Sequence, residues 1–388
     1  MHAYRHLFHA GNFADVFKHA LLTRLAIALT RKDKPFCYLD THAGLGRYDL
    51  KHPWAQKNRE FKNGLARVWQ RDDVPELLVP WLEAVRAVNP GGVLREYPGS
   101  PVFVQRLLRP DDRMVLCELN TKDHATLKSN MAGDARASAH HLDGFTAVRA
   151  HLPPRERRGL VLMDPAFDQP GEFKRVLAAL VEAHQRFATG VLAFWYPMME
   201  PVAMHRFEED VAACGVPRIL QLELTVHAHG ASGGLRGCGL LVVNPPFGFE
   251  AEAREIAKWL APILAEGRGG KQRIRWLTGE KIAREPVDED EPDDSPAAPK
   301  PAPQHVRWDP AKRPAARRAA AAARAAAKAP KRGAARKRGQ TPFRADAPGD
   351  ARASPSKRGQ TPFRKGEPAK GAKRGLTPFR APSRKPVK

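Results

Sequence analysis

The sequence predicts a doubly wound α/β fold, in which helices cover both faces of a mainly parallel sheet. Short apolar runs typical of buried strands alternate with longer segments of helical periodicity. Four of these runs end in an acidic residue or lead directly into one, which would place carboxylates along one edge of the sheet. The last two runs are joined by too few residues for a helical crossover, so we expect them to be antiparallel.

The first part of the chain contains one long helix, one strand and an insertion. Asn12 is a good N-cap, and apolar residues at helical spacing predict an amphipathic helix to about Arg31. A strand at Phe36–Asp40 then leads into a glycine-containing loop. A helical insertion is predicted at about residues 48–98, and Ser100-Pro101 opens a further helix, because proline is favoured in a first helical turn. The core of the insertion is expected to contain Trp54, Trp69 and Trp81.

The remaining strands follow the insertion. They are predicted at Met114–Leu119, Ala137–Leu142, Gly159–Asp164, Gly190–Tyr196, Ile219–Val226 and Cys238–Val243. A doubly wound sheet that ends in an antiparallel hairpin strand is the outline of the Rossmann-like class I fold of S-adenosylmethionine-dependent methyltransferases.

Nearly all of the net charge lies in the carboxyl-terminal part of the chain. The chain has 65 Lys plus Arg and 42 Asp plus Glu; from Ser295 onward the numbers are 26 and 4, which leaves 39 and 38 in residues 1–294. The body is therefore close to neutral. We predict one folded domain at residues 1–282 and a disordered tail at 283–388, because the tail is rich in Pro, Ala, Lys and Arg and has few large apolar residues.

The tail repeats one octapeptide three times, at residues 337–344, 357–364 and 373–380. Each copy reads KRGQTPFR, with leucine replacing glutamine in the third. A basic segment with one aromatic residue per repeat suits binding to an RNA backbone and to unpaired bases. A repeat with only generic affinity for polyanions explains the pattern equally well, so both interpretations stay open.

Several classes of protein do not fit the composition. The four cysteines form no CxxC pair, so we expect buried thiols. Four histidines near the amino terminus lack metal-ligand spacing, and we expect no metal; they are His6, His9, His19 and His42. No apolar run approaches the length of a membrane span, and the amino terminus has no signal core. We expect a monomeric cytoplasmic protein without membrane contact.

The acidic strand ends predict a cofactor site. In a doubly wound sheet the ligand lies outside the carboxyl ends of the strands, where the strand order reverses. Asp40 and its glycine loop occupy the first such position. Glu118 occupies the next, where it can accept hydrogen bonds from ribose hydroxyls. Asp143-Gly144 occupies the third, where the carboxylate can accept from the amine of a cofactor's adenine. The chain has no GxxxxGK[ST] pattern for phosphates. An acidic rim also favours a cationic sulfonium ligand over a pyrophosphate.

The tetrapeptide Asp164-Pro165-Ala166-Phe167 follows a predicted strand and suits the binding of a planar base. The carboxylate and the proline carbonyl can accept the two hydrogens of an exocyclic amine, and the phenylalanine ring can stack on the base. Asn244-Pro245-Pro246-Phe247 is a second match, and by composition the better one. Chain order favours Asp164, because the base must bind beside the first strand, whereas Asn244 ends the last antiparallel strand. An ordinary turn after a strand is the simplest alternative for either.

Several longer strings closely resemble the RlmJ-type family of bacterial 23S ribosomal RNA adenine-N6 methyltransferases. They are Tyr4–Asn12, Ala14-Asp15, Lys18-His19, Tyr38–Gly44, Tyr97–Pro101, Arg157–Leu160, Arg186–Gly190 and Trp195–Pro197. The resemblance covers about residues 1–280 and stops before the tail. It implies methyl transfer from S-adenosylmethionine to the exocyclic amine of one adenine, adenine 2030, in the peptidyl-transferase region of 23S ribosomal RNA. It also implies that the RNA is modified best before full assembly of the subunit.

The resemblance further implies roles for individual residues. Asp164 would be the catalytic carboxylate, and Tyr4, Lys18, Pro165 and Phe167 would contact the substrate. The residues implied in cofactor binding are His19, His42, Ser100, Glu118, Asp143, Gly144 and Asp164. The family usually has two prolines and a tyrosine after the aspartate, where this chain has proline, alanine and phenylalanine. Loss of the second proline loosens the loop, which bears on the catalytic rate more than on the type of reaction.

Two other functions stay open at this point. One is a DNA adenine-N6 methyltransferase, although no separate recognition domain is visible and an insertion of about 50 residues is small for reading a duplex groove. The other is a non-catalytic RNA-binding assembly factor, which would be consistent with the altered tetrapeptide. A basic rim for RNA, or simply a solvated face, is predicted from Arg5, Lys18, Arg47, Lys51 and Lys57.

Overall fold

The computed structural model describes residues 5–227, 235–267 and 270–279. Its strands are β1 (Cys37–Asp40), β2 (Arg47–Asp49), β3 (Glu96–Pro98), β4 (Arg113–Glu118), β5 (Ala137–His141), β6 (Gly159–Met163), β7 (Val191–Pro197), β8 (Ile219–Thr225), β9 (Gly237–Val243) and β10 (Lys271–Thr278). Its α-helices are α1 (Phe13–Thr30), α2 (Pro53–Asn58), α3 (Leu65–Trp69), α4 (Val79–Ala87), α5 (Ser100–Gln105), α6 (Thr121–Asn130), α7 (Gly144–His151), α8 (Glu172–Arg186), α9 (Pro201–Ala213) and α10 (Phe249–Leu264).

Two sets of predictions lie outside the described residues. One is the substrate-contacting role of Tyr4; the other is the tail with its three repeats. The division of the chain at residues 282 and 283 therefore stays a prediction.

Eight strands form one sheet in the order β10-β8-β9-β7-β6-β1-β4-β5. The five strands from β7 to β5 are parallel to one another, and β9 is antiparallel to both of its neighbours. The doubly wound fold class and the antiparallel final hairpin are therefore confirmed. The order reverses at β1, which lies between β6 and β4, so the carboxyl ends of these strands border the position where such sheets bind ligands.

The sequence does not predict two of the strand pairings, one in this sheet and one in a separate two-stranded sheet. β10 adds an antiparallel edge strand beside β8; it is rich in charge and mostly exposed, as edge strands usually are, so it carries no apolar run. β2 and β3 pair as a small antiparallel ribbon at the two ends of the helical insertion. Each has only three residues, too few for a recognisable period.

Helices cover both faces of the sheet, and each face has its own apolar core. One core joins the sheet to α1, α5, α10 and the insertion, and the other joins it to α7, α8 and α9. No helix among the described residues combines the length and apolar character needed to cross a bilayer.

Helix α1 is buried on almost all sides, so the prediction of an amphipathic helix is wrong. Asn12 caps it as expected, accepting a hydrogen bond from the Asp15 backbone N–H at 2.9 Å. Of its 18 residues 15 are buried, because the sheet covers one side while the insertion and α10 cover others. Asp15, Lys18 and His19 are therefore enclosed polar groups, which must find partners inside the protein.

The insertion has a core built around Trp81, which is fully buried and stacks against Phe103. Trp69 is partly buried and packs against the same core. Trp54 does not join them: 42% of its surface is exposed, so the prediction of a core position is wrong for this residue. It lies in the first turn of α2, on the outer side of the insertion.

Candidate active site

Two adjoining cavities lie at the carboxyl edge of the parallel strands. The glycine-loop cavity, of about 540 Å³, is lined by the loop after β1 and by residues that follow β4, β5 and β6. The Trp195 cavity, of about 620 Å³, lies between α1, the insertion and the ends of β6 and β7. Both cavities are lined by His6, Lys18, Asp164 and Ala166. Asp164 therefore faces two compartments at once.

Three of the predicted strand-end acids line the glycine-loop cavity, namely Glu118, Asp143 and Asp164. Glu118 accepts hydrogen bonds from the backbone N–H groups of Gly44 at 3.0 Å and Asn120 at 2.7 Å, which fixes the glycine loop against the end of β4. Burial raises the pKa of Glu118. Asp143 caps α7 by accepting from the Thr146 N–H at 2.8 Å.

Asp40 does not line either cavity, so its prediction as part of the acidic rim is wrong. Its side chain is fully buried beneath the loop and accepts from the Tyr38 hydroxyl and the Ser100 Oγ, both at 2.7 Å. The His42 N–H lies 3.3 Å from its other oxygen. Burial raises the pKa of Asp40 to about 6. Asp40 thus holds Ser100 and the loop in place from behind.

His42 and Gly144 meet at the wall of the glycine-loop cavity. His42 lines the cavity, shares a 2.8 Å hydrogen bond with the Thr41 hydroxyl and meets the Phe145 ring edge-on. Burial lowers the pKa of His42 to about 4, so its imidazole is neutral at pH 7. Gly144 is not part of the lining; a Cβ there would lie 2.4 Å from the His42 ring and 2.4 Å from the Thr41 carbonyl. Its contribution is the close approach of α7 to the loop.

We expect Gly144→Ala to weaken donor binding, because the new methyl group would displace His42 from the cavity wall. Gly91→Ala is the matched control, since a Cβ at that glycine meets nothing within 4 Å. Calorimetric titration with S-adenosylmethionine would show an increase of about tenfold or more in Kd for Gly144→Ala and none for Gly91→Ala. Equal affinities for the two variants would show that the close contact has no role in binding.

Lys18 lies inside the protein and not on a basic rim. Only 3% of the residue is exposed; its ammonium is 3.0 Å from Asp15 Oδ1 and forms an ion pair with Asp164 Oδ2. Burial disfavours the charged amine, but the two carboxylates outweigh burial and raise the pKa of Lys18. Asp15 also accepts from the Gly11 N–H and contacts His6, both at 2.9 Å. A buried chain of charges therefore connects α1 to the end of β6.

His19 lines the glycine-loop cavity but is itself almost completely buried. Its Nδ1 shares a 2.8 Å hydrogen bond with the Tyr97 hydroxyl, and its ring packs against Phe103. Burial, together with the nearby charge of Lys18, lowers the pKa of His19 well below its ordinary value.

The lowered pKa of His19 predicts that the folded protein is less stable in acid. Below about pH 6.5 the unfolded chain binds a proton at His19 that the folded protein does not, so the free energy of unfolding falls as the pH falls, by about 1.4 kcal/mol per pH unit. Urea unfolding at pH 7.5 and 5.5 should show that His19→Asn loses about 1.4 kcal/mol less than the wild type over this interval. An identical pH dependence in both proteins would contradict the assignment.

The residues after Asp164 form the boundary between the glycine-loop cavity and the Trp195 cavity. Pro165 is buried and lines the glycine-loop cavity, whereas Phe167 lines the Trp195 cavity with a φ of 53°. The Phe167 ring lies 4.8 Å from the Phe173 ring and 5.8 Å from Trp195. Phe167 and Trp195 therefore form one aromatic wall. The sequence predicts Phe167 as a site residue but not Trp195.

The second tetrapeptide lies at the opposite edge of the sheet. Asn244 follows the antiparallel strand β9, and its amide donates to the carbonyls of Ala188 at 2.8 Å and Gly190 at 2.9 Å, where β7 begins. Phe247 is 99% exposed. This geometry excludes Asn244 from both cavities described above.

Several lining residues were missed by the sequence prediction. Asn120 and Phe145 come two residues after the strand-end acids Glu118 and Asp143, which is a signal that could have found them. Arg175 lies on α8, with its guanidinium 3.9 Å from the centre of the Phe145 ring, and nothing in the local sequence marks it. Among the described residues, no group of three or more His, Cys, Asp or Glu side chains is arranged to hold a metal ion.

Comparisons with known proteins identify the family of the chain. A family model described as "Ribosomal RNA large subunit methyltransferase D, RlmJ" matches residues 33–278, more than half of the chain. The chain belongs to this family. It is 40% identical over 280 residues to the Ribosomal RNA large subunit methyltransferase J of Escherichia coli K12, and 39% identical over 281 residues to that of Haemophilus influenzae; each match covers 72% of this chain and 100% of the relative.

A crystal structure of a Legionella pneumophila protein resembles the fold, with a TM-score of 0.65 and 35% identity. The match covers 70% of this chain and 99% of that one. As a member of the RlmJ family, the chain is a methyltransferase that depends on a donor of the S-adenosylmethionine type.

The glycine-loop cavity fits such a donor. Its described lining contains six acidic side chains and, as Lys and Arg, only Lys18 and Arg175. The six carboxylates outnumber these two cations, so the lining favours a cationic ligand. Glu118 and Asp143 present carboxylate oxygens, which accept hydrogen bonds, to the same cavity.

Proposed function

We propose that this chain transfers the methyl group of S-adenosylmethionine to the exocyclic N6 of one adenine in 23S ribosomal RNA. The observation that carries the proposal is the position of Asp164 between two cavities, one suited to a cationic donor and the other walled by aromatic rings. The names of the two curated relatives support the large-subunit RNA as substrate. Adenine 2030, a monomeric state and a cytoplasmic location remain predictions.

The bound donor supplies a methyl group on a positively charged sulfur. In this proposal Glu118 accepts hydrogen bonds from the ribose hydroxyls, and Asp143 accepts one from the adenine amine of the donor. His42 and Ser100 line the glycine-loop cavity between them. His19 closes the inner wall as a neutral ring. Asp164 places its carboxylate on the side of the cavity from which the substrate enters.

The role of Asp164 follows from the chemistry of the adenine amine. This amine is a poor nucleophile, because its lone pair is delocalised into the ring. Lys18 engages Asp164 Oδ2, so we assign Oδ1 and the Pro165 carbonyl as acceptors of the two amine hydrogens. Two acceptors on one side favour a pyramidal nitrogen, and they stabilise the positive charge that develops on it. The bond from N6 to the methyl carbon would form as the carbon–sulfur bond breaks and leaves a neutral thioether. One of the two amine hydrogens would then leave as a proton to solvent, which gives neutral N6-methyladenine. Holding both reactants in line contributes about 7–11 kcal/mol in favourable cases.

Entry of the base requires that it leave its stack in the RNA. Unstacking costs a few kcal/mol, and less where the base is already unpaired. Stacking on the aromatic wall of Phe167 and Trp195 would offset about 1–3 kcal/mol of this cost. Phe167 lacks the hydroxyl of the usual tyrosine, so stacking is the contribution that we assign to it.

Methyl transfer from labelled S-adenosylmethionine would test the proposal. The full chain is incubated with protein-free unmodified 23S RNA, with assembled large subunits and with duplex DNA, and the products are mapped by mass spectrometry. We expect one N6-methyladenine in the protein-free RNA and much less product in the assembled subunit. Methylation of duplex DNA alone would refute the RNA substrate, and donor binding without transfer to any of the three would refute the enzymatic role.

A further inference from the structure

An aromatic pair, of which Trp54 is exposed, lies near the Trp195 cavity and has no part in the chemistry proposed above. Trp54 stacks on Phe8, with ring centroids 5.4 Å apart and an angle of 17° between the planes. His9 and Asn58 both line the Trp195 cavity. Phe8 directly precedes His9 in the chain, and Trp54 lies on α2, which ends at Asn58. The aromatic pair of Trp54 and Phe8 therefore stands beside the compartment that we assign to the target base.

Trp54 is not needed to complete a core. The core of the insertion is built around Trp81, and 42% of the surface of Trp54 meets solvent. Trp54 lies in a helix of only six residues, capped at its start by the His52 ring, whose Nδ1 accepts from the backbone N–H of Trp54 at 3.2 Å. A large, rigid, half-exposed ring on a short capped helix is a surface ready for stacking.

Two cations lie close to the aromatic pair, of which Arg5 also pairs with Asp123 at 2.8 Å, and further cations lie nearby along the chain. The Lys57 ammonium lies 5.8 Å from the centre of the Phe8 ring, and the Arg5 guanidinium lies 5.9 Å from that of Trp54. Residues 47–63 contain five Lys or Arg and two Asp or Glu, a net charge of +3. All five cations are exposed; they are Arg47, Lys51, Lys57, Arg59 and Lys62. Residues 1–294 have a net charge of only +1, so this concentration is local.

We propose that the aromatic pair of Trp54 and Phe8 is a platform on which an unpaired base of the RNA stacks, next to the nucleotide that enters the Trp195 cavity. The surrounding cations would contact the phosphates of that segment. Aromatic rings set among Lys and Arg are the recurring arrangement for single-stranded nucleic acid, since every base has a face that can stack. A protein partner would be expected to meet a more apolar surface with fewer lysines. The inference rests on the proposed function for the identity of the RNA.

Substitutions at position 54 can separate stacking from simple packing. Trp54→Leu removes the aromatic face but keeps an apolar side chain, and Trp54→Phe keeps a smaller face. Phe247→Leu is the matched control, because Phe247 is an exposed aromatic residue at the opposite edge of the sheet. Thermal unfolding of each variant checks that the fold is retained.

Binding of an unmodified 23S RNA fragment that carries the target adenine is measured by fluorescence anisotropy, without a methyl donor. We expect Trp54→Leu to raise the Kd about 5- to 100-fold, Trp54→Phe to raise it by much less, and Phe247→Leu to leave it unchanged. In the methyl-transfer assay, the weaker RNA binding of Trp54→Leu should appear as a higher KM for RNA. Lys57→Gln should reduce the slope of log affinity against log salt by about 0.7, whereas Trp54→Leu should not change it.

The outcomes distinguish this inference from the proposed function. Weaker RNA binding by Trp54→Leu in a protein that methylates no RNA would refute the proposed reaction and leave the platform standing. Unchanged RNA affinity in Trp54→Leu, or equal losses in the leucine and phenylalanine variants, would overturn the platform even if methylation of 23S RNA is observed.

Discussion

Replacing Asp164 with alanine is expected to lower kcat by about 100- to 1,000-fold or more, because the variant loses the acceptor that holds the adenine amine and the charge that stabilises the developing cation. The side chain is largely enclosed, and it is the point where the two cavities meet. Binding of S-adenosylmethionine should change little by comparison, because Glu118, Asp143 and His42 remain in place. Single-turnover methylation of protein-free 23S RNA, together with calorimetric donor binding, would measure both effects.

Asn244→Ala provides the matched control for this experiment. Asn244 begins the other tetrapeptide of the same pattern, but its amide is bound to two backbone carbonyls at the far edge of the sheet. This variant should retain near-normal turnover even if it is somewhat less stable. Near-normal turnover by Asp164→Ala, combined with loss of activity in Asn244→Ala, would reverse the assignment of the catalytic residue.

The strand framework was accessible from the sequence because buried parallel strands leave continuous apolar runs. These runs predict the strands from β4 to β9 nearly to the residue, and chain order alone predicts that Asp164 lies beside β1. β10 was missed for the opposite reason: an exposed edge strand such as Lys271–Thr278 contains mainly polar residues and resembles a loop.

The cavity lining was less accessible, because side-chain direction depends on packing. Asp40 and Glu118 both end strands, yet Asp40 is covered by Tyr38 and Ser100 while Glu118 reaches the cavity. The burial of α1 on almost all sides depends on the insertion and α10, whose positions no local period encodes. Trp54 was assigned to a core because composition alone does not distinguish an exposed tryptophan from a buried one.

Lys18→Met is expected to destabilise the protein by about 3–5 kcal/mol, because it leaves two enclosed carboxylates without their shared cation. Methionine keeps most of the apolar length of the side chain, so the loss reports mainly on charge. We expect the pKa of Asp15 to rise in the variant, because burial raises it and Lys18 is, with His6, one of the charges that keep it well below its ordinary value in the wild-type protein. A carboxyl with a raised folded-state pKa favours folding at low pH, so the destabilisation should be larger at pH 8 than at pH 5.

The double variant Asp15→Asn with Lys18→Met separates folding from catalysis. Removing one of the two acids should restore much of the free energy of unfolding, measured by urea titration. It should not restore methyl transfer, because Asp164 Oδ2 would still lack the ammonium that orients the carboxylate. Lys18 acts in this scheme as a positioning residue. Recovery of both stability and turnover in the double variant would show that Lys18 has only a structural role, whereas wild-type stability in Lys18→Met would mean that the ion pairs contribute nothing to folding.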